Sequence, residues 1–197
     1  MNREMEARSN MNLVGLARDG DSAAFARLIE DNYMLMYRTA YRFTGAREDA
    51  EDVAQEVCVK LARAIASYRG GSSFRTWLYR VVVNAAKDHI RKHSSKRKHE
   101  EEYIREQLVM GNPGPTGAGE AESDGSGISA DSLLNEIKRM PEKYRDALLL
   151  VHSEGLTHRE AGEVLGCAES TVSWRVHEGK KRLKALLMDE KKRNGHG

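Results

Sequence analysis

Hydroxyl, guanidinium and amine side chains are concentrated near the C-terminus, along a segment that the residue pattern predicts to be helical. Residues 175–193 hold eight Lys or Arg and three acids, a net charge of +5. Hydroxyls and guanidinium at the start of a helix suit phosphates and base edges in a DNA major groove, and amines behind them suit the DNA backbone. The side chains predicted to contact DNA here are Ser170, Thr171, Ser173, Trp174, Arg175, His177 and Lys181.

A short helix and a tight turn are predicted just before this helix. Thr157 and Glu160 fit a T-x-x-E capping box, and Gly166 fits the end of the short helix. A short helix, a glycine turn and a longer helix are typical of a helix-turn-helix. The alternative is an ordinary helical hairpin with a solvated cationic face, but the turn pattern favours DNA binding. Because a single recognition helix binds weakly, the rest of the chain must supply help.

A second basic cluster lies in the N-terminal half. Residues 87–99 hold six Lys or Arg, three His and one Asp, and aromatic residues precede them. This combination suits single-stranded nucleic acid, because bases stack on rings and phosphates pair with cations. Trp77 lies on the apolar face of the predicted helix that begins at Phe74, so it is expected to belong mainly to the core. Arg80, Asn84 and Lys87 lie on a more polar face and are the better candidates for contact.

The preceding predicted helix has the opposite charge and would repel nucleic acid, so we expect its acidic face to meet a basic partner or solvent. Its acidic residues are Glu48, Asp49, Glu51, Asp52 and Glu56. A carboxylate metal site is conceivable, because Asp49, Asp52 and Glu56 share a face, but the sequence has no Glu-x-x-His. His89 and His93 have the i, i+4 spacing of a metal-binding pair, yet their cationic neighbours favour plain surface histidines.

The bulk composition predicts a globular protein of ordinary type. The 197 residues are 40% hydrophobic and 31% charged, with a formal net charge of +2. Cys58 and Cys167 belong to no Cys-x-x-Cys pair, so they suggest buried thiols in a reducing compartment rather than a zinc framework. The N-terminus lacks the apolar core of a signal peptide, and no apolar run approaches the roughly 18 residues of a membrane helix. We therefore expect a cytoplasmic protein without cofactor or metal.

Apolar residues recur at helical spacing in both halves, and no two-residue alternation indicates a sheet. The stretch from Gly111 to Asp131 has six glycines, two prolines, four acids and no Lys or Arg, which is typical of a flexible tether. The predicted fold is therefore all-α, with two small helical domains at residues 1–110 and 132–197 joined by a linker at 111–131. The alternative for 111–131 is a long surface loop, which is uncommon in compact domains.

Three motifs in order resemble the bacterial extracytoplasmic-function (ECF) RNA polymerase sigma factors. DAEDVAQEV (49–57) resembles family region 2.2, and FRTWLYRVVVNAAKDHIRK (74–92) resembles regions 2.3 and 2.4. The segment from Met140 to Leu187 resembles region 4. The resemblance covers about residues 15–187, nearly the whole chain apart from the linker and tails. It departs from the family pattern at Gly162, where alanine is usual, at Ala168, where a turn proline is frequent, and at the bulky Trp174.

The resemblance implies a role for each face: docking on core RNA polymerase, binding of the opened −10 promoter element with a flipped base, and reading of the −35 duplex. Polymerase docking falls to Asp49, Asp52, Gln55 and Glu56. Binding of the −10 element falls to Tyr68, Arg69, Arg80, Asn84, Lys87 and Arg91. The helix-turn-helix residues given above would read the −35 duplex, and the tether would join two weak DNA contacts through effective concentration. Promoter melting, transcription initiation and control by an anti-sigma factor are further implications.

Other readings give different predictions. A helix-turn-helix regulator acting on DNA without polymerase would usually carry an N-terminal sensor domain, and no such pattern is present. An enzyme acting on nucleic acid would need a nucleophile or metal constellation, which the sequence does not offer, so we expect no enzymatic activity. An all-helical interaction protein would leave the two separated basic clusters unexplained.

Overall fold

The chain, described here by a computed structural model for residues 12–109, 137 and 139–194, consists of helices joined by short turns and loops and has no strand among these residues. The first helices are α1 (residues 12–18), α2 (Ser22–Thr44), α3 (Arg47–Ala64) with a 3₁₀ turn (Ile65–Ser67), and α4 (Phe74–Val109). They are followed by α5 (Glu142–Leu148) with a π-helical turn (Leu149–Ser153), α6 (His158–Leu165) and α7 (Glu169–Asn194). The all-α prediction is confirmed. The predicted linker at 111–131 lies outside the described residues, so the domain limits stay a prediction.

The first unit is built by α2, α3 and α4, which pack on one another. The Asp21 side chain caps α2 by accepting hydrogen bonds from the backbone N–H groups of Ala23 and Ala24, at 2.9 and 3.0 Å. Gly45 ends α2 with φ +78°, and its N–H donates to the Tyr41 carbonyl. The core between the three helices includes the fully buried residues Met36, Ala40, Val53, Val57, Leu78 and Val82.

The second unit contains the helix-turn-helix, formed by α6 and α7 and supported by α5. Thr157 and Glu160 form the predicted capping box: the Glu160 N–H donates to Thr157 Oγ1 at 3.2 Å, and the Thr157 N–H donates to Glu160 Oε2 at 2.8 Å. Gly166 ends α6 with φ +65°. Val172 and Val176 are buried on the inner side of α7. The outer side of α7 is thereby left for a partner.

Gly162 brings the turn unusually close to α6. A Cβ built at this position would lie 2.6 Å from the backbone carbonyl oxygen of Cys167, closer than real Cβ atoms come to other atoms. The departure from alanine therefore has a steric reason that helix propensity alone does not reveal. The turn after α6 packs against α6 itself through this glycine.

The two units contact each other, with α4 packed against α6. Three ion pairs accompany this packing. Lys87 on α4 reaches two carboxylates of α5, Asp146 at 2.7 Å and Glu142 at 2.6 Å, and Arg42 on α2 reaches Glu154 at 2.7 Å. In this arrangement the basic side of α4 faces the acidic side of α5.

Candidate nucleic-acid and partner interfaces

The outer face of α7 presents most of the predicted DNA-contacting residues. Ser170, Trp174, His177 and Lys181 are exposed, while Thr171, Ser173 and Arg175 are half-buried. The Trp174 ring stands well out of the surface, with 53% of the residue accessible. The face can therefore offer hydroxyl, indole, imidazole and amine groups together to a groove.

Two of these residues are also tied to the scaffold. The Ser173 hydroxyl lies 2.8 Å from His158 Nδ1 on α6 and donates to the Glu169 carbonyl at 3.1 Å. Arg175 Nη1 lies 3.6 Å from the Cys167 sulfur. Ser173 thus joins the two helices of the motif, whereas the position of Arg175 is steadied by the turn before α7. Pre-positioning of this kind reduces the side-chain entropy lost on binding.

Sequence reasoning missed an aromatic and cationic cluster beside Trp174. The Tyr144 and Trp174 ring centroids lie 5.7 Å apart, and the Lys143 amine lies 5.0 Å from the Tyr144 ring centre and 5.8 Å from that of Trp174. The Arg182 guanidinium of α7 lies 4.7 Å from the centre of the Tyr144 ring. These cation–π contacts hold positive charge close to the exposed indole. The sequence indicated only the cationic segment of α7. The contribution of Lys143 and Tyr144 was missed because these residues come from a different helix, α5.

The residues of α4 that are predicted to bind the −10 element are spaced three or four positions apart and so lie on one face of the helix: Arg80, Asn84, Lys87 and Arg91. Asn84 and Arg91 are exposed, Arg80 is half-buried, and Arg91 forms an ion pair with Asp88 on the same helix. Asn84, Lys87 and Arg91 line a cleft that is closed on its other side by Glu142 and Arg145 of α5. This face is therefore shared between α4 and the second unit.

Lys87 is the central charge of that cleft. Burial disfavours its charge, but the hydrogen bonds to Asp146 and Glu142 outweigh this effect and raise the pKa of Lys87 above its ordinary value. Asp146 is only 1% exposed, and burial raises the pKa of its carboxyl even though Lys87 and Arg145 lie beside it. Hydrogen bonding to Lys87 lowers the pKa of the more exposed Glu142. Lys87 is thus held as a cation by two carboxylates of the second unit.

The loop before α4 is ordered by an aromatic cluster. The Tyr68 ring contacts those of Phe74 and Trp77, with centroids 5.9 and 5.3 Å apart, and its hydroxyl donates to the Ser72 carbonyl at 2.6 Å. Trp77 is partly buried against the core, which agrees with its predicted role. Arg69 is exposed. A small hollow beside α1 is lined by Tyr68, Arg69, Gly70, Ser72 and Ser73.

The predicted polymerase-docking residues of the acidic helix α3 do not all face solvent. Asp52 and Gln55 are exposed, and the half-buried Glu56 forms an ion pair with Lys60 at 2.9 Å. Asp49 instead turns toward α4, where its Oδ1 lies 3.0 Å from His89 Nε2. The outward carboxylate and amide groups of α3 are the ones available to a partner.

His89 is not the surface histidine that the sequence pattern predicted, since it is 8% exposed and packed between α3 and α4. The prediction was wrong because it rested on the cationic residues next to His89 in the sequence. The carboxylate that contacts His89 in the fold is 40 residues away. His93 is exposed, as expected. The two rings stack with centroids 4.2 Å apart.

Both cysteines are free and only half-buried, so the prediction of buried thiols holds in part. Burial raises the pKa of the Cys58 thiol. Among the described residues, none of the helices combines the length and apolar character needed to cross a bilayer.

The fold and its faces define a class of DNA-binding protein with a helix-turn-helix and a second, separate basic and aromatic face. Comparison with known families gives the class a name: the Sigma-70 region 2 profile matches residues 28–96, and the Sigma-70 region 4 profile matches residues 130–183. The ECF RNA polymerase sigma factor SigW of Bacillus subtilis is 31% identical over 180 residues, covering 87% of this chain and 93% of SigW. The RNA polymerase sigma-H factor of Pseudomonas aeruginosa is 29% identical over 179 residues, and the match covers 89% of this chain and 92% of the sigma-H factor.

Two solved structures share the fold. CnrH, in complex with the cytosolic domain of CnrY, is 22% identical with a TM-score of 0.66, covering 92% of this chain and 98% of CnrH. The sigma factor RpoE of Bartonella quintana, in complex with the anti-sigma factor NepR, is 22% identical with a TM-score of 0.58, covering 83% and 96%. The chain belongs to the ECF RNA polymerase sigma factors. It binds core RNA polymerase and directs promoter recognition and transcription initiation.

Proposed function

We propose that the three faces described above divide the work of promoter recognition among them. In this proposal α7 reads the −35 duplex, α4 with the loop at residues 67–73 binds the opened −10 element, and the outward side of α3 docks on core polymerase. The observation that carries the proposal is the outward presentation of α7, whose exposed groups are offered together on a fixed helix-turn-helix.

On α7, direct reading falls to Ser170, Thr171, Trp174 and Arg175, while His177 and Lys181 suit phosphates. Hydroxyl and guanidinium groups can pair with base edges, and the exposed indole can contact a thymine methyl or the sugar edge. Ser173 acts mainly by fixing α7 against α6 through His158. The cations held around Tyr144 add positive potential near the same groove.

On α4, Arg80, Asn84, Lys87 and Arg91 provide cations and an amide for the single strand, while the loop with Tyr68 and Arg69 borders the hollow for an extruded base. Base extrusion requires an open cavity with aromatic or apolar walls, and the hollow beside α1 has such walls. Lys87 must exchange its two carboxylate partners for phosphate in this step.

Docking on polymerase falls to Asp52 and Gln55, with Glu56 beside them, because these residues point outward from α3. Carboxylates on an exposed helix suit a basic partner surface. Asp49 contributes less directly, since its carboxylate faces His89.

We further infer that an anti-sigma factor controls the chain, because the structural relatives CnrH and RpoE are held in complexes with CnrY and the anti-sigma factor NepR. The chain is expected to act in the cytoplasm, where polymerase works, and to carry no catalytic chemistry of its own.

In vitro transcription tests the proposal. The full chain is added to core RNA polymerase with fragmented genomic DNA from its own source, and transcript 5′ ends are determined. Discrete starts that share −35 and −10 elements are expected, together with a shift in the −35 consensus when Trp174 is replaced by alanine. Starts whose −35 consensus is unchanged in that variant would contradict the assignment of α7.

A further inference from the structure

Three potential metal ligands meet where α3 packs on α4. Asp49 comes from the first turn of α3, and His89 and His93 come from successive turns of α4. One ligand atom from each residue lies within 4.8 Å of the other two. Among the described residues, no other group of three histidine, cysteine or carboxylate side chains brings its ligand atoms this close together.

The chemistry of the three groups suits a borderline divalent transition metal. Two imidazoles and a carboxylate form a frequent three-ligand set for Zn²⁺, in which the fourth position is held by water. Ligand atoms around tetrahedral zinc lie roughly 3.3 Å apart, given metal–ligand distances of about 2.0–2.1 Å. His89 Nε2 and Asp49 Oδ1 already lie 3.0 Å apart, so one metal ion could replace the proton between them.

The arrangement also offers both rigidity and access. His89 is held in the packed interface of the two helices, whereas His93 is exposed and leaves an open side for an incoming ion and its water. Histidines at i and i+4 lie on one face of a helix, which is the spacing that metal-binding helices use. His93 stacks on His89 at 4.2 Å, so a small side-chain rotation would direct a ring nitrogen toward the shared point.

We propose that Asp49, His89 and His93 form a binding site for a Zn²⁺-class divalent transition metal that fastens α3 to α4. The simpler arrangement is a hydrogen bond from His89 to Asp49 with His93 merely stacked against it. The two differ at His93, which contributes a ligand in the first case and no polar contact in the second. The proposal does not depend on the assignment of the DNA-binding faces.

Titration of the untagged, metal-stripped full chain with Co²⁺ tests the site, because Co²⁺ substitutes for Zn²⁺ and absorbs visible light. Saturable binding of one ion per chain is expected, with d–d bands and without an intense thiolate charge-transfer band. Since loss of even an outer partner weakens metal affinity about 10- to 100-fold, His93→Gln and Asp49→Asn should each weaken binding at least about tenfold. Competition with Zn²⁺ should displace Co²⁺ from the same site.

His152→Gln is the matched control, because His152 is an exposed histidine far from the cluster in sequence and should bind Co²⁺ like the unaltered chain. Circular dichroism confirms that each variant is folded, and His93→Gln leaves the Asp49–His89 bond in place. Absence of saturable binding, equal affinity in His93→Gln, or a thiolate band from Cys58 or Cys167 would each overturn the proposal.

Discussion

Gly162 shows how much a single hydrogen atom can matter in this fold. Replacement by alanine raises helix propensity by about 1 kcal/mol, yet the new Cβ would lie 2.6 Å from the Cys167 carbonyl oxygen. Backbone cannot yield as a flexible side chain does, and overpacking typically costs about 1–3 kcal/mol. We therefore expect Gly162→Ala to lower the free energy of unfolding, measured as a lower urea midpoint.

Gly15→Ala is the matched control for that measurement. Gly15 lies in α1, and nothing surrounds its added Cβ within 4 Å, so the same substitution should leave the urea midpoint unchanged or raise it. Equal shifts in the two variants would show that propensity, not the contact with the turn, decides the outcome.

We propose that Arg175, whose guanidinium lies 3.6 Å from the Cys167 sulfur, reads a base of the −35 duplex. Arg175→Ala should weaken binding to the −35 duplex by about 1–3 kcal/mol and relax the preference at one position, because a lost guanidinium removes a bidentate base contact. Affinity for core polymerase should remain unchanged. DNA binding by the holoenzyme on promoters with single −35 substitutions measures both effects.

Arg27→Ala provides the comparison, since Arg27 is an exposed arginine on α2 whose ion pairs stay within its own helix. If the two variants bound every −35 substitution alike, Arg175 would have only a general electrostatic role.

Individual residues differ in how far their surroundings can be predicted from the sequence. The capping pair Thr157 and Glu160 could be predicted from the sequence, because a helix cap is a local feature. His89 was misjudged because its hydrogen-bond acceptor, Asp49, lies on another helix. Contacts between distant segments leave no mark in local composition.

At the scale of elements, helix α3 carries the docking proposal. Its exposed Asp52 faces away from the core, so Asp52→Arg should lower affinity for core polymerase at least about tenfold through like-charge repulsion with a basic surface. The fold should persist, because the replaced side chain has no buried contact to lose. Equilibrium binding of a labelled chain to core polymerase measures the effect.

Glu30→Arg makes the same charge change at an exposed position of α2 and should bind polymerase normally. Comparable losses in both variants would mean that overall charge, rather than the face of α3, governs docking.

Both limits of α6 followed from the sequence because the signals were local: the Thr157–Glu160 capping box begins the helix, and Gly166 ends it with positive φ. The π-helical turn at Leu149–Ser153 did not follow. Apolar residues recur at helical spacing through this segment, and a single wider turn hardly alters that pattern. The wider turn is closed by the Glu154 N–H, which donates to the Leu149 carbonyl at 3.0 Å, and Glu154 then reaches Arg42 on α2.

At the scale of the whole molecule, the second unit occupies part of the face proposed for the −10 strand. Glu142→Lys, at a side chain that is 60% exposed, would put a cation in place of the carboxylate that now lies 2.6 Å from the Lys87 amine. We expect the units to separate more readily and the free chain to bind single-stranded −10 DNA more tightly. Small-angle scattering and fluorescence anisotropy measure the two changes.

Glu30→Lys carries the same charge change away from the cleft and should leave scattering and DNA affinity as they were. An unchanged radius of gyration for Glu142→Lys would mean that apolar packing of α4 on α6, not the ion pairs, holds the units together. This contact could not be predicted from the sequence, because it joins residues 87 and 142–146 across the segment expected to be a tether.

The placement of the two tryptophans has an optical consequence. The chain holds only Trp77 and Trp174, one in each unit, and they lie in unlike surroundings: Trp77 within an aromatic cluster, Trp174 on the open face of α7. The emission of Trp174 should therefore be the redder and the more readily quenched of the two. Without any attached dye, ultraviolet fluorescence can report separately on the arrival of a duplex at α7 and on rearrangement of the loop before α4.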